Sequence, residues 1–285
     1  PLRDTDRVLG IIAGAGDLPL HIARSLSGSG NRAFVIALEN LARPELEDPD
    51  WETEWVDFYR LGDLLASLRN AGVSQVVLAG HVAHRGIYQE GKFDARMLSF
   101  LGGLEDRRGG SILLAFVRLL EKEGYEVPSL LKIVPSLVPS KSHTMGPTPD
   151  SAALDDLTLG WFLARQLADL EIGQAVVIKN AAVVAVEGME GTDETVKRAI
   201  NMAGKGLTVV KRAAKNHDFR FDVPTIGTHT VEVLAGGGGG NIVVEAGRCF
   251  ILDREEVIAL CEKTGVRLMV CREKEDGAIS WDSGS

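Results

Sequence analysis

The chain has 285 residues, 45% of them hydrophobic and 25% charged, which excludes global disorder and leaves room for two domains with separate cores. Its formal net charge is −9. That excludes nucleic acid as the main partner, since phosphate backbones are held by basic faces, and any anionic ligand needs a local cluster of cations.

No apolar run approaches the about 20 residues that span a bilayer. The start, PLRDTDRVLGII, mixes acids with bases and leads straight into a strand, unlike a signal peptide. Cys249, Cys261 and Cys271 lack the close pairing of zinc sites and read as thiols in a reducing cytosol. The expectation is a soluble cytoplasmic protein.

In chain order, VLGIIA (Val8–Ala13) is a short strand followed by GAGDLP and a helix from Leu18 to Leu26. Strand, glycine turn and helix open a nucleotide-binding βα unit, where amides at the helix start can face phosphate oxygens and Gly14, Gly16 and Asp17 are the candidate contacts, or the glycine turn is purely structural. A dinucleotide fingerprint would need a third glycine at position 19, where this chain has Pro19. Proline suits a first helical turn, so the helix stands while a nicotinamide dinucleotide fits less well. Strands follow at Ala33–Leu38, Thr53–Phe58 and Gln75–Ala79, with a helix over Leu61–Ala71. In a parallel sheet ligands sit at the carboxyl ends of the strands, which lines up Gly14, Gly16, Glu39 and His81. His81 either contacts the ligand or is bonded to nearby backbone. The glycine-rich stretch from Arg85 to Gly110 carries a helix near Asp94–Leu101, and Ser111–Glu123 is amphipathic. Prolines at 135, 139, 147 and 149 mark a connection. The division is therefore 1–132, a linker 133–150, and 151–285.

The second half opens with a helix, Ser151–Leu170, and a hairpin of Ala175–Ile178 and Ala181–Val186 turning at Lys179-Asn180. Thr192 is placed as N-cap of a helix Asp193–Ala203. The acids Glu187, Glu190 and Asp193 either serve that helix start or point into a site. Gly236–Gly240 brings amides against a ligand or is a turn. A helix over Arg254–Lys263, a strand over Arg267–Val270 and a frayed tail after Arg272 complete the chain. The fold class is α/β: a Rossmann-like open parallel-sheet domain joined to a C-terminal domain with a mixed sheet.

The stretch from Lys211 to Thr230, KRAAKNHDFRFDVPTIGTHT, groups Lys211, Arg212, Lys215 and Arg220 with Asp218 and Asp222. Cations beside carboxylates suit a phosphate and a hard metal ion together. With no GxSxG elbow and no HExxH helix, the residues point to phosphorus chemistry with an oxygen-bound ion such as Mg²⁺. A nucleotide-dependent oxidoreductase and a non-catalytic lipid-phosphate binding module are the rival classes.

GIIAGAGDLP, GQAVVIKNAAVVAVEGMEGTD, KNHDFRFDVPTIGTHTVE and VEAGRCFILDRE together resemble the LpxI-type UDP-2,3-diacylglucosamine pyrophosphatases of lipid A biosynthesis. The similarity covers nearly the whole chain; where that family commonly has Lys-Pro, this chain has Lys215-Asn216. The resemblance implies Mg²⁺-dependent hydrolysis of UDP-2,3-diacylglucosamine to UMP and 2,3-diacylglucosamine 1-phosphate (lipid X), with water attacking the sugar-side phosphorus. It implies a nucleotide-binding N-terminal domain and a C-terminal domain for the acylated sugar. Asp222 is the expected metal-binding or water-positioning carboxylate. Lys215 and Arg220, with Asp218, complete the expected catalytic set. Gly14, Gly16, Asp17, His81, Glu190, Thr192, Asp193 and Lys211 are the expected substrate contacts. A homodimer and peripheral contact with the cytoplasmic face of the inner membrane complete the expectation.

Overall fold

The structure, a computed structural model, describes residues 8–82, 93–106, 108–146 and 148–281. Residues 85–92 and 107 of the glycine-rich stretch, and Pro147 of the proline-dense one, lie outside the described residues. The chain divides into two compact units. One is Pro1–Val134 with Asp218–Asp222, and the other is Pro135–His217 with Val223–Ser285.

The first unit runs β1 (Val8–Ala13), α1 (Leu18–Gly28), β2 (Arg32–Leu38), β3 (Glu52–Val56), α2 (Leu61–Asn70), β4 (Gln75–Ala79), α3 (Ala95–Gly102), α4 (Gly109–Lys122) and the single turn α5 (Leu130–Ile133). Its sheet has the order β3-β2-β1-β4, every pair parallel. The apolar runs of β1, β2 and β4 are buried almost throughout, as strands covered on both faces must be. Asp94 caps α3 by accepting from the Met97 amide at 2.7 Å.

The second unit comprises β5 (His143–Met145), α6 (Ser151–Asp169), β6 (Ala175–Lys179), β7 (Ala182–Val186), α7 (Thr192–Ala203), β8 (Leu207–Lys211), β9 (Thr225–Ile226), α8 (Thr228–Gly236), β10 (Gly240–Glu245), β11 (Phe250–Ile251), α9 (Arg254–Thr264), β12 (Arg267–Glu273) and β13 (Ile279–Ser280). The main sheet has the order β13-β12-β10-β8-β6-β7, with β5 against β12. β8, β10 and β12 are parallel, whereas β5, β6, β7 and β13 pair antiparallel. Alternate residues feed two cores: Val176, Ile178, Val210, Val243 and Met269 pack with α6, while Val177, Val209, Ile242, Val244 and Leu268 pack with α7, α8 and α9.

Several local expectations are corrected. The proline-dense stretch contributes a strand, β5, to the second sheet. The tail after Arg272 is not frayed throughout, because β13 pairs with β12. The Gly236–Gly240 run is a helix stop: the amides of Gly237, Gly238 and Gly239 donate to carbonyls at Val233, Leu234 and Ala235 of α8. They are therefore spent on the fold and do not face a ligand.

The β6–β7 turn sits one residue later than expected, at Asn180-Ala181. Both have positive φ, 52° and 55°, the geometry of a type I′ turn. The buried Asp156 holds it, accepting from the Asn180 amide at 3.3 Å and the Ala181 amide at 2.6 Å. Left-handed backbone costs alanine about 1–2 kcal/mol, while glycine carries an entropic cost of about 0.5–1 kcal/mol. Ala181→Gly is therefore expected to stabilise the second unit by about 0.5 kcal/mol, read as a higher urea midpoint; an unchanged or lower midpoint contradicts this. Among the described residues, no helix is long and apolar enough to cross a membrane.

Candidate functional site

In the first unit the order β3-β2-β1-β4 places the switch in connection direction between β1 and β4, where open α/β sheets bind ligands. There the loops after the two strands grip each other. The Gly14 amide donates to Ala79 O at 2.8 Å, the Ala15 amide to His81 O at 2.8 Å, and the His81 amide to Ala15 O at 2.9 Å. A Cβ on Gly14 would lie 2.7 Å from His81 O, so this glycine permits the close approach of two backbones. The backbone pairing expected of His81 is present, while its side chain is exposed. Because the Gly14 and Ala15 amides are spent, an anion here could meet only amides from Gly16 onward, and Pro19 in the first turn of α1 has none. Asp17 forms an ion pair with Arg43 beside that turn.

The same unit holds the segment Asp218–Asp222, inserted from a distant part of the chain. Phe221 packs against the N-terminal core, and Phe219 O accepts from the Leu130 amide at 2.8 Å. Arg220 is fixed by two carboxylates. It donates to both oxygens of Asp218, at 2.6–3.1 Å, and its Nη1 donates to Glu121 Oε1 at 2.8 Å. The Asp218 hydrogen bonds hold its guanidinium above the usual arginine range. Asp222 closes the segment, half-buried. Asp218 and Glu121 share the single Arg220 cation. No group of three or more His, Cys, Asp or Glu side chains forms a cage among the described residues. Mg²⁺ does not require one, since it keeps several waters and uses one or two carboxylates plus substrate phosphates. Asp222, half-buried at the end of the segment, is a carboxylate of the type that mode uses.

In the second unit, β8 and the end of β7 deliver a buried polar triad. Lys211 Nζ donates to Thr192 Oγ1 at 2.5 Å, and Thr192 donates to Glu187 Oε1 at 2.7 Å. Glu187 Oε2 accepts the Gln174 amide at 2.8 Å. Thr192 therefore does not cap α7: Gly191 holds that position, and the hydroxyl links the lysine to the glutamate. Thr192→Val is expected to cost about 1–3 kcal/mol, because Lys211 and Glu187 each lose a buried partner; a thermal midpoint equal to the parent's would refute this.

The remaining expected contacts have partners too. Glu190 is held below the usual carboxylate range by its own backbone amide and by Arg198, 2.5 Å away. Asp193 accepts from Thr230 Oγ1 at 2.8 Å. Lys215 is exposed, its amide donates to Asp169 Oδ1 at 2.6 Å, and its carbonyl accepts from Arg248 at 3.3 Å. Arg248 also donates to Ala214 O. Arg248 and Asp169 thus fix the backbone beneath Lys215; the arginine in VEAGR was the sequence signal for the first, and nothing marked the second.

Arg212, grouped in sequence with these cations, is 1% exposed. It donates to Glu245 Oε1 at 2.9 Å and to Glu273 Oε2 at 2.8 Å, and lies over the Trp161 ring at 3.7 Å. It is a core ion. Burial pushes the Cys249 and Cys271 thiols up to about 12 and Cys261 up to about 11, so none supplies a thiolate nucleophile near neutrality.

Comparison with known proteins bears on both units. The LpxI N-terminal domain family matches residues 8–137, and the LpxI C-terminal domain family matches residues 140–269. The UDP-2,3-diacylglucosamine pyrophosphatase LpxI of Caulobacter vibrioides is 32% identical over 271 residues, covering 91% of this chain and 96% of that protein. A biotin carboxylase–ATP complex from Campylobacter jejuni aligns at 14% identity with a TM-score of 0.26, covering 68% of this chain and 42% of its own. The biotin carboxylase domain of Hydrogenobacter thermophilus 2-oxoglutarate carboxylase gives 13% and 0.25, covering 68% and 41%. Neither of these two likenesses is close enough to bear on the fold. Two adjacent domain matches and a full-length relative are, and this chain belongs to the LpxI family.

Proposed function

We propose that this protein hydrolyses the pyrophosphate of UDP-2,3-diacylglucosamine, releasing UMP and 2,3-diacylglucosamine 1-phosphate. The observation that carries the reading is the match of both LpxI domains together with a full-length relative of that named activity. The first unit takes the uridine diphosphate end, using the α1 N-terminus at Gly16 and Asp17 and the strand ends at Gly14 and His81. The second takes the acylated sugar, where burial of each methylene contributes about 0.8 kcal/mol. Lys211, Thr192, Glu190 and Asp193 are its polar contacts to the substrate.

In the chemical step a water oxygen bonds to the sugar-side phosphorus and the bond to the bridging oxygen breaks. That oxygen leaves with UMP. Asp222 orients the water and accepts its proton. Arg220 keeps the Asp222 segment in place through Asp218 and Glu121, and Lys215 meets the non-bridging oxygens. Asp222 would hold Mg²⁺, which would supply charge neutralisation on the pyrophosphate. The protein acts as a peripheral enzyme at the cytoplasmic face of the inner membrane.

The test is UMP release from UDP-2,3-diacylglucosamine in detergent, with Mg²⁺ and with chelator. Release that requires Mg²⁺ is expected; no release under either condition overturns the reading. Lys215→Ala is expected to lower kcat/KM about 10–100-fold, as loss of a charge clamp on phosphate does. Unchanged kinetics would remove Lys215 from the site.

A further inference from the structure

The outer face of α3 and α4 carries an open groove that the reaction does not use. It has a volume of about 370 Å³ and is lined by the apolar Phe100, Leu104 and Leu119 and by the cations Arg96, Arg118 and Lys122. The spacing explains the shared face: residues 115, 118, 119 and 122 form one stripe of α4, while Val117 and Leu120 point to the core. Arg96 is paired with Glu123. Arg118 and Lys122 have no ion pair among the described residues, and both are exposed.

Two like charges four residues apart repel each other along a helix. Lys122, in the last turn, is favoured by the helix dipole, but Arg118 is not. In a chain of net charge −9, unpaired cations beside apolar side chains complement a surface that is anionic outside and greasy within. We infer that this groove is the face by which the protein docks on an anionic phospholipid surface. Arg118 and Lys122 meet headgroup phosphates, and Phe100, Leu104 and Leu119 reach the acyl boundary.

The inference rests on the proposed reading in one respect: a diacylated substrate is delivered from a membrane. It also gives α4 two jobs on two faces. Arg118 and Lys122 lie on the docking face, while Glu121 holds Arg220 of the segment that carries Asp222.

Co-sedimentation of the full chain with phosphatidylcholine vesicles, with and without phosphatidylglycerol, tests this. Each cation near an anionic surface contributes about 1 kcal/mol, so Arg118→Gln with Lys122→Gln is expected to lower partitioning onto the anionic vesicles about 30-fold. Both changes are on the surface, and an unchanged thermal midpoint verifies the fold. Parent protein should bind anionic vesicles, release them at high salt and ignore neutral ones. Equal binding of parent and variant, or equal binding to both vesicle types, overturns the inference. So does a fall in oligomer mass in the variant with vesicle binding unchanged, which would assign the groove to a second copy of the chain. UMP release from detergent-dispersed substrate, run in parallel, should be equal in parent and variant; its absence in the parent would count against the enzymatic reading and leave the vesicle result standing.

Discussion

Asp222→Ala is expected to bind the UDP-linked lipid as the parent does and to release UMP at least about 100-fold more slowly, the usual cost of losing a metal-positioning or general-base carboxylate. The expectation follows from how the segment is built. Asp218 already accepts Arg220 bidentately, Glu121 holds the other side of the same guanidinium, and Phe221 anchors the backbone in the first unit's core. Asp222 stands where the family pattern has its aspartate before Val-Pro-Thr-Ile-Gly, so its removal should cost rate. Arg220→Met is different in kind. It frees Asp218 and Glu121 from their shared cation and lets the segment move, so KM and kcat should change together. A turnover within a few-fold of the parent for Asp222→Ala would take that residue out of the mechanism.

Arg212→Met is expected to lower the stability of the second unit by about 3–5 kcal/mol, because the hydrogen bonds of the buried guanidinium to Glu245, Glu273 and Trp161 O are lost, at about 1–3 kcal/mol for each buried one. For a unit of this size that is a fall of about 6–20 °C in thermal midpoint. The side chain joins three elements: the end of β8, Glu245 at the end of β10 and Glu273 at the end of β12, with Trp161 of α6 stacked beneath. Glu245 also pairs with Arg165 at 2.5 Å, a pair that Arg212→Met leaves in place, so the cost falls on the ties to β12 and α6. Arg198→Met is the control, since its pair with Glu190 is 46% and 37% exposed and such pairs contribute at most about 1 kcal/mol. Equal midpoint shifts for the two variants would contradict the assignment of Arg212 to the core.

The strands were legible because their physics is local. VLGIIA, QVVLA and the runs of the second sheet are apolar over their length, and only a strand covered on both faces needs that. The family motifs were equally legible. What escaped the sequence depended on partners far away in the chain. Nothing in KRAAKNHD says that Arg212 will turn inward to Glu245 and Glu273 while Lys215, three residues on, stays exposed. The I′ turn moved by one residue because Asp156 holds two amides 24 and 25 residues away, which overrides alanine's preference at Ala181. Thr192 looked like a cap by position, yet its hydroxyl accepts from Lys211 and donates to Glu187. Least readable was the passage of Asp218–Asp222 into the first unit, which is decided by where Phe221 finds an apolar partner.

Hydrolysis in water enriched in the heavy oxygen isotope, with both products weighed by mass spectrometry, tests the central claim most directly. Attack at the sugar-side phosphorus predicts label in the 2,3-diacylglucosamine 1-phosphate and none in UMP. Label in UMP, or no cleavage of the pyrophosphate at all, would contradict it.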